Sequence, residues 1–300
     1  MIPVSDTSHP APPTPAQPRD AATVVVLRDG AGSATRGGRG IEVYLIKRSR
    51  MMDFMAGAHV FPGGRLDKND SSASACALLS AATAALHERL GEALPAMHAA
   101  GLYVAAIRET FEEAGLLLGT LAAGWKANDA RAAVAEGAQF ATLVEKIDAA
   151  ALVPWVRWVT PVVSPRRFDA RFFLARAPLG QEARVDGREA VEGLWISPME
   201  ALGRWLDEEM QLAPATAKCL DALLAYRTVD EALAAAARRP PPVMMPHVWN
   251  DKENGRAYIS LPGDLRHPVG QDALGGKILR LQLETGRYRP VSVGSTDRAA

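Results

Sequence analysis

The alternation of apolar and polar positions changes character several times along the chain. Residues 22–28 hold the run Val24-Val25-Val26-Leu27, and residues 41–48 set Ile41, Val43, Leu45 and Ile46 beside polar neighbours. Both stretches read as strands, and the Gly-rich segment 30–40 between them predicts a hairpin with a long, mobile loop. From 70 to 101 the chain turns Ala-rich with strong helix propensity; Ser71 or Ser72 caps this helix and Gly91 or Pro95 ends it. A second helix over 97–117 closes on Gly115, and 120–150 predicts one or two more, broken at Gly124 and Gly137.

Strand-like runs return at 155–161 and 171–177, joined by residues 164–169, with Trp155, Trp158, Phe172 and Phe173 read as core. Residues 189–195 then lead into Ile196-Ser197-Pro198, where Ser197 caps a helix over 198–207. A helical hairpin or one long helix follows at 213–238, and Pro240 to Pro242 mark a surface crossing. Short strands are expected at 257–261 and 278–283, while the Pro-rich residues 1–20 predict a mobile tail. Strands and helices in this mixed order predict an α/β sandwich rather than a doubly wound sheet.

Composition narrows the function classes. Lys plus Arg equals Asp plus Glu at 34 each, so no net field draws the chain to nucleic acid or an anionic membrane. Two distant cysteines, Cys76 and Cys219, argue against a disulfide framework or a zinc site. No apolar run is long enough to span a bilayer and the N-terminus lacks a signal pattern, which predicts a soluble, cytoplasmic protein. The final residues, Asp297-Arg298-Ala299-Ala300, are not a peroxisomal Ser-Lys-Leu type signal.

The chemistry concentrates in Arg108-Glu109-Thr110-Phe111-Glu112-Glu113-Ala114-Gly115. Glu109, Glu112 and Glu113 stand at i, i+3 and i+4, so a helix projects three carboxylates from one face. Such carboxylates repel one another unless a positive charge sits among them, and a hard divalent cation shared with substrate phosphates is the usual one. The other reading is a solvated acidic face. Upstream, Phe61-Pro62-Gly63-Gly64 predicts a turn where backbone approaches closely because no Cβ intervenes.

Gly64, Asp70, Arg108-Glu109, Glu112-Glu113 and Gly115 resemble the Nudix box: a glycine, five residues, a glutamate, seven residues, Arg-Glu, two residues, Glu-Glu, one residue and a glycine. Two departures stand out. Asp70 replaces the glutamate, and residues 71–107 replace the seven-residue spacer. A box split in this way resembles a Nudix subgroup that includes the mammalian peroxisomal coenzyme A diphosphatases. The likeness extends to residues 56–64, 157–161, 166–175 and 259–264. A coenzyme A signature upstream of the box is partly kept in Arg48-Ser49, Gly57 and 61–64, with Asp53 where that signature has arginine.

The resemblance implies a Nudix-type α/β/α sandwich with a mixed sheet, a helical insertion and helical C-terminal additions. It implies a tail over 1–20, a Nudix domain over 21–265 with residues 71–100 as the insertion, and an extension over 266–300. It implies Mg²⁺- or Mn²⁺-dependent hydrolysis of a diphosphate in a small nucleoside diphosphate derivative, coenzyme A or acyl-coenzyme A first. The alternatives are an ADP-ribose or dinucleotide diphosphatase, or a silent Nudix binding module, and a homodimer stays open. Glu109, Glu112 and Glu113 become the metal ligands, with Glu189 completing the set from a loop in preference to Glu192. Arg108 orients Glu112 through an i, i+4 pair, while Asp70 either joins the metal shell or caps the inserted helix. Gly63, Gly64 and Gly115 are structural. Arg48, Arg166, Arg167 and His59 are candidate substrate contacts, against an exposed basic turn for Arg166 and Arg167 and a packed, hydrogen-bonded ring for His59. The helix bearing Glu109 should begin near the Gly63-Gly64 turn, with 71–100 looped out.

Overall fold

The computed structural model describes residues 16–30, 40–51 and 55–291, so the expected tail as far as residue 15, the long hairpin loop and Asp53 lie outside the described residues. Strand β1 (Arg19–Asp29) starts at Arg19 rather than at residue 22, and β2 (Ile41–Arg48) pairs antiparallel with its C-terminal end, Leu27 opposite Val43. The two strands then part. Strand β3 (His59–Val60) continues the pairing along β2, with Ile46 opposite Val60. Strand β4 (Gly63–Arg65) continues it along β1, with Ala22 opposite Gly64. The Gly-Gly pair expected as a turn therefore lies in the sheet, in the gap where β1 and β2 diverge.

Helices α1 (Ala73–Ala77) and α2 (Thr83–Leu90) make up the expected Ala-rich helix, with the Ser72 hydroxyl accepting from the Ala75 N–H and Gly91 closing α2 in a left-handed conformation. Helix α3 (Ala96–Ala114) carries the acidic face. Residues 120–150, expected to hold one or two helices broken at Gly124 and Gly137, have one α-helix between those glycines, flanked by two short strands that the pattern did not predict. These are β5 (Gly119–Leu121), α4 (Ala127–Ala135) and β6 (Val144–Ile147), with β5 and β6 paired antiparallel. The paired segments, Gly119–Leu121 and Val144–Ile147, contain no alanine, and their pairing is set by tertiary contact.

Strands β7 (Val153–Val159) and β8 (Phe168–Arg176) pair antiparallel, and β8 runs parallel to β1. Strand β9 (Ala190–Ile196) lies along β2 and leads into α5 (Pro198–Leu206), where the Ser197 hydroxyl accepts from the Glu200 N–H as a cap. Helices α6 (Pro214–Leu223) and α7 (Val229–Ala237) form the expected hairpin, and β10 (Val243–Met244) crosses back to pair with β7. Four strands, β11 (His247–Asn250), β12 (Ala257–Ser260), β13 (Arg280–Glu284) and β14 (Arg287–Pro290), then make a separate antiparallel sheet. That sheet runs across the expected boundary at 265.

The large sheet has the order β10-β7-β8-β1-β2-β3, with β4 on β1 and β9 on β2. Alternate residues of its central strands serve opposite faces. Val24, Val26, Tyr44 and Ile46 pack towards α3, Leu86 and Leu90. Val25, Leu27, Val43 and Leu45 pack towards Trp205 of α5, Leu220 of α6 and Ala232 of α7. The result is an α/β/α sandwich with a mixed sheet.

The insertion is not looped out. Leu86 and Leu90 are fully buried in the core beneath α3, the Tyr103 hydroxyl donates to Leu86 O at 3.1 Å, and Arg89 donates to Leu152 O at 2.6 Å. Gly101 on α3 lets the chain at Ser71 approach, since a Cβ there would sit 2.1 Å from the Ser71 hydroxyl. Helix α3 accordingly begins at Ala96, well before Glu109, and meets the Gly63-Gly64 strand with its C-terminal half.

Candidate active site

Helix α3 is buried nearly all round from Ala99 to Ile107, so its position is fixed by packing on both sides and only its last turns reach a polar environment. Gly115 ends it in the left-handed region, φ 71°, with its N–H bonded to Phe111 O at 2.9 Å. Glycine tolerates that conformation without a Cβ penalty.

The two glycines of β4 lie directly against this end of the helix. The Gly63 N–H donates to Glu113 Oε2 at 2.8 Å, and a Cβ on Gly64 would sit 2.4 Å from the Glu109 carboxyl carbon. A Cβ on Gly63 would meet Ala22 O of β1 at 2.5 Å. No side chain fits at either position, which is the close backbone packing expected of them.

Arg108 joins the separated segments. Its Nε and Nη2 donate to the two Asp70 oxygens, both at 2.9 Å; its Nη1 donates to Glu109 at 2.8 Å and to Glu112 at 3.0 Å; and Nη2 also donates to Arg65 O at 3.0 Å. A guanidinium has five N–H groups, and these contacts engage all of them. Arg108 therefore holds the carboxylates in place, and its Glu112 contact is the i, i+4 pair. Asp70, buried beneath it, also accepts the Asp67 N–H at 2.8 Å. Ser72, not Asp70, caps the inserted helix, and Asp70 is the counter-ion of Arg108.

One guanidinium shared among three acids leaves the cluster short of positive charge. Burial pushes the Glu113 carboxyl up to about 8, helped by the charge of Glu109 and opposed by the Gly63 N–H and by Arg48. Burial likewise pushes Glu109 up to about 7, opposed by Arg108 and reinforced by Glu112. Glu112 is raised by burial, against the pull of Arg108, with Asp70 and Glu189 adding to the rise. Carboxylates pushed up in this way favour a nearby cation.

Among the described residues no three His, Cys, Asp or Glu side chains stand ready as a metal-holding group. The donor chemistry nevertheless fits: buried, charge-deficient carboxylate oxygens are what a hard divalent cation takes as ligands. Glu109, Glu112 and Glu113, with Glu189 beside them, are the residues that could hold one.

Glu189 reaches this place on a loop fastened to the end of α3. The Gln181 side chain exchanges two hydrogen bonds with the Leu117 backbone, at 2.8 and 2.9 Å, and the Arg184 N–H donates to Ala114 O at 2.8 Å. Asp186 then accepts the Glu189 and Ala190 N–H groups, and Glu189 O accepts the Ser49 N–H at 2.8 Å. The negative charge of Glu189 acts on both Glu112 and Glu113. Glu192 is turned away, paired with Lys47 at 3.3 Å. Arg131 of α4, which the sequence pattern did not single out, donates to Glu112 O at 2.7 Å and places a cation at the negative end of the helix.

The other candidates separate. Arg48 comes close enough to the acids for its charge to lower Glu113. His59 is opposite Lys47, on the face of the sheet that packs against α5 to α7; its buried ring bonds Gln211 O at 3.3 Å, and burial lowers its pKa. It is the packed histidine rather than a lining of the acidic face. Arg166 and Arg167 occupy the turn between β7 and β8, where Arg167 donates to Thr160 O and Ala16 O.

This arrangement has clear relatives. Residues 81–220 match the family model of the NUDT19 Nudix domain. A Gallus gallus protein named acyl-coenzyme A diphosphatase NUDT19 is 29% identical, over 89% of this chain and 84% of its own length. The Xenopus laevis protein of the same name is 26% identical, over 79% of this chain and 74% of its own. Among solved structures, a NUDIX hydrolase from Alicyclobacillus acidocaldarius is 31% identical with a TM-score of 0.56, covering 73% of this chain and 96% of that one.

Proposed function

The chain belongs to the Nudix hydrolase family, and from that premise we propose that it hydrolyses the diphosphate of coenzyme A or acyl-coenzyme A. Water adds across the anhydride, releasing a phosphopantetheine and a nucleotide. The observation that carries the substrate is the likeness to the acyl-coenzyme A diphosphatases, which runs the length of the chain rather than stopping at the acidic helix.

Nudix hydrolases generally use divalent metal cations, and we take Mg²⁺ or Mn²⁺ as the ion here. When bound, the ion neutralises the diphosphate and polarises the scissile linkage. Glu109, Glu112 and Glu113 would hold it, with Glu189 supplied by the loop ahead of β9. Arg108 fixes the Glu109 and Glu112 side chains so that they meet the ion already aligned, and Arg131 holds the last turn of the helix. One of these acids, or a carboxylate outside the set, takes the proton of the attacking water. Arg48 contributes a positive charge at the rim for the phosphates.

The test is a set of diphosphates offered with Mg²⁺ and with Mn²⁺, the products identified by mass. Cleavage of coenzyme A to a phosphopantetheine and a nucleotide is expected. Cleavage of only ADP-ribose or dinucleotides would move the substrate, and silence on all of them would make the chain a binding module.

A further inference from the structure

Beside the acidic face lies a cavity of about 230 Å³, in which Arg108 and Glu112 form part of the wall. Because those two residues belong to both places, a group in the cavity is within about one helical turn, roughly 5 Å, of whatever the carboxylates hold. The cavity is smaller than the roughly 300–1,000 Å³ that encloses a whole drug-sized ligand, so it receives part of one.

Its walls say which part. Asp67, Asp70 and Glu112 are among its lining residues, with the Arg108 guanidinium, whose N–H groups are all engaged. Three carboxylates against one cation make the lining negative, which disfavours a phosphate and suits N–H and O–H donors. Ala75, Val104, Val134 and Phe140 add apolar surface. Residues 67–75 run into the start of the insertion and 134–141 run from the end of α4, so both stretches lie outside the acidic half of the box.

We propose that this cavity receives the uncharged arm of the substrate, a chain carrying amide and hydroxyl donors between apolar segments, as pantetheine does. The nucleotide end, with its additional phosphate, is kept outside by the carboxylates. This assignment rests on the coenzyme A reading above, and it explains how one end of an unsymmetrical diphosphate is told from the other.

Ala138 and Ala141 also line the cavity and take no part in the acidic face. Ala138→Trp fills the space from an exposed position that tolerates a large side chain, and Ala141→Phe fills it from a half-buried one. The first measurement is calorimetric titration of free pantetheine, without metal or turnover. Wild type should bind it, and Ala138→Trp should weaken binding by about tenfold or more. The second compares kcat/KM for coenzyme A with that for the same nucleotide diphosphate carrying a methyl ester in place of the arm. The substitution should lower the first value by about tenfold and leave the second within about twofold. Absence of pantetheine binding to wild type, or equal losses on both substrates, would overturn the proposal. Pantetheine binding by a wild type that leaves coenzyme A intact would instead sink the hydrolase reading and keep the cavity assignment.

Discussion

A cluster of charged side chains lies near each end of helix α3, and the two are built differently. Near its N-terminus Arg171 contacts Asp20, Glu92 and Asp169, Arg157 contacts Glu92 and Asp169, and His98 pairs with Asp20 at 2.9 Å. Every carboxylate there has a cationic partner supplied by the fold. Near the C-terminus one saturated guanidinium serves Asp70, Glu109 and Glu112, Glu113 has only the Gly63 N–H and the charge of Arg48, and two of the carboxyls are pushed up to about 7 and 8. The first cluster is complete in itself and docks the insertion on the sheet. The second is not balanced by the fold, which fits the cation proposed for it. A buried acidic group thus marks a functional place when its neighbours leave its charge uncompensated, and a structural one when they balance it.

Perturbing one end at a time should separate the two roles. The largest effect is expected from deleting residues 74–95, which removes Glu92 with Leu86 and Leu90. The chain should then yield no cooperatively folded protein by calorimetry; a folded deletion with altered substrate choice would make the insertion an accessory. Next is Glu112→Gln, which should lower the rate of metal-dependent diphosphate cleavage by about a thousandfold or more while the melting temperature stays close to wild type. Arg171→Ala should do the reverse. It leaves buried carboxylates without their partner and costs about 3–5 kcal/mol in denaturant unfolding, with activity per folded molecule retained. Smallest is Arg131→Ala, expected to cost about 1 kcal/mol of stability through the lost helix-end contact. A modest loss of rate should accompany it, with partial recovery in Arg131→Lys.

The elements that share local rules were legible in the chain. The β-branched run at 24–26, the Ser197 cap and Gly115 at the end of α3 each act within a few residues. What escaped detection depends on distant partners. Leu86 and Leu90 look like ordinary members of an Ala-rich helix, and only their burial against α3 makes the insertion part of the core. Strands β11 and β14 are short and largely exposed, so no period announces them. At the site, the three glutamates and the Gly-Gly pair were recognisable from spacing. The Asp70 to Arg108 pair links residues that are far apart in the chain, and Arg131 binds a backbone carbonyl, which leaves no pattern in sequence.

The central proposal is that a divalent ion supplies the positive charge in which the C-terminal end of α3 is deficient. Direct titration of Mn²⁺, followed by electron paramagnetic resonance of the free ion, tests it most closely in wild type, in Glu109→Gln/Glu113→Gln and in Arg171→Ala. The account predicts binding to wild type and to Arg171→Ala at a temperature where the latter is folded, and loss of that binding in the glutamine variant while it remains folded. Equal Mn²⁺ binding by wild type and by the glutamine variant would contradict it.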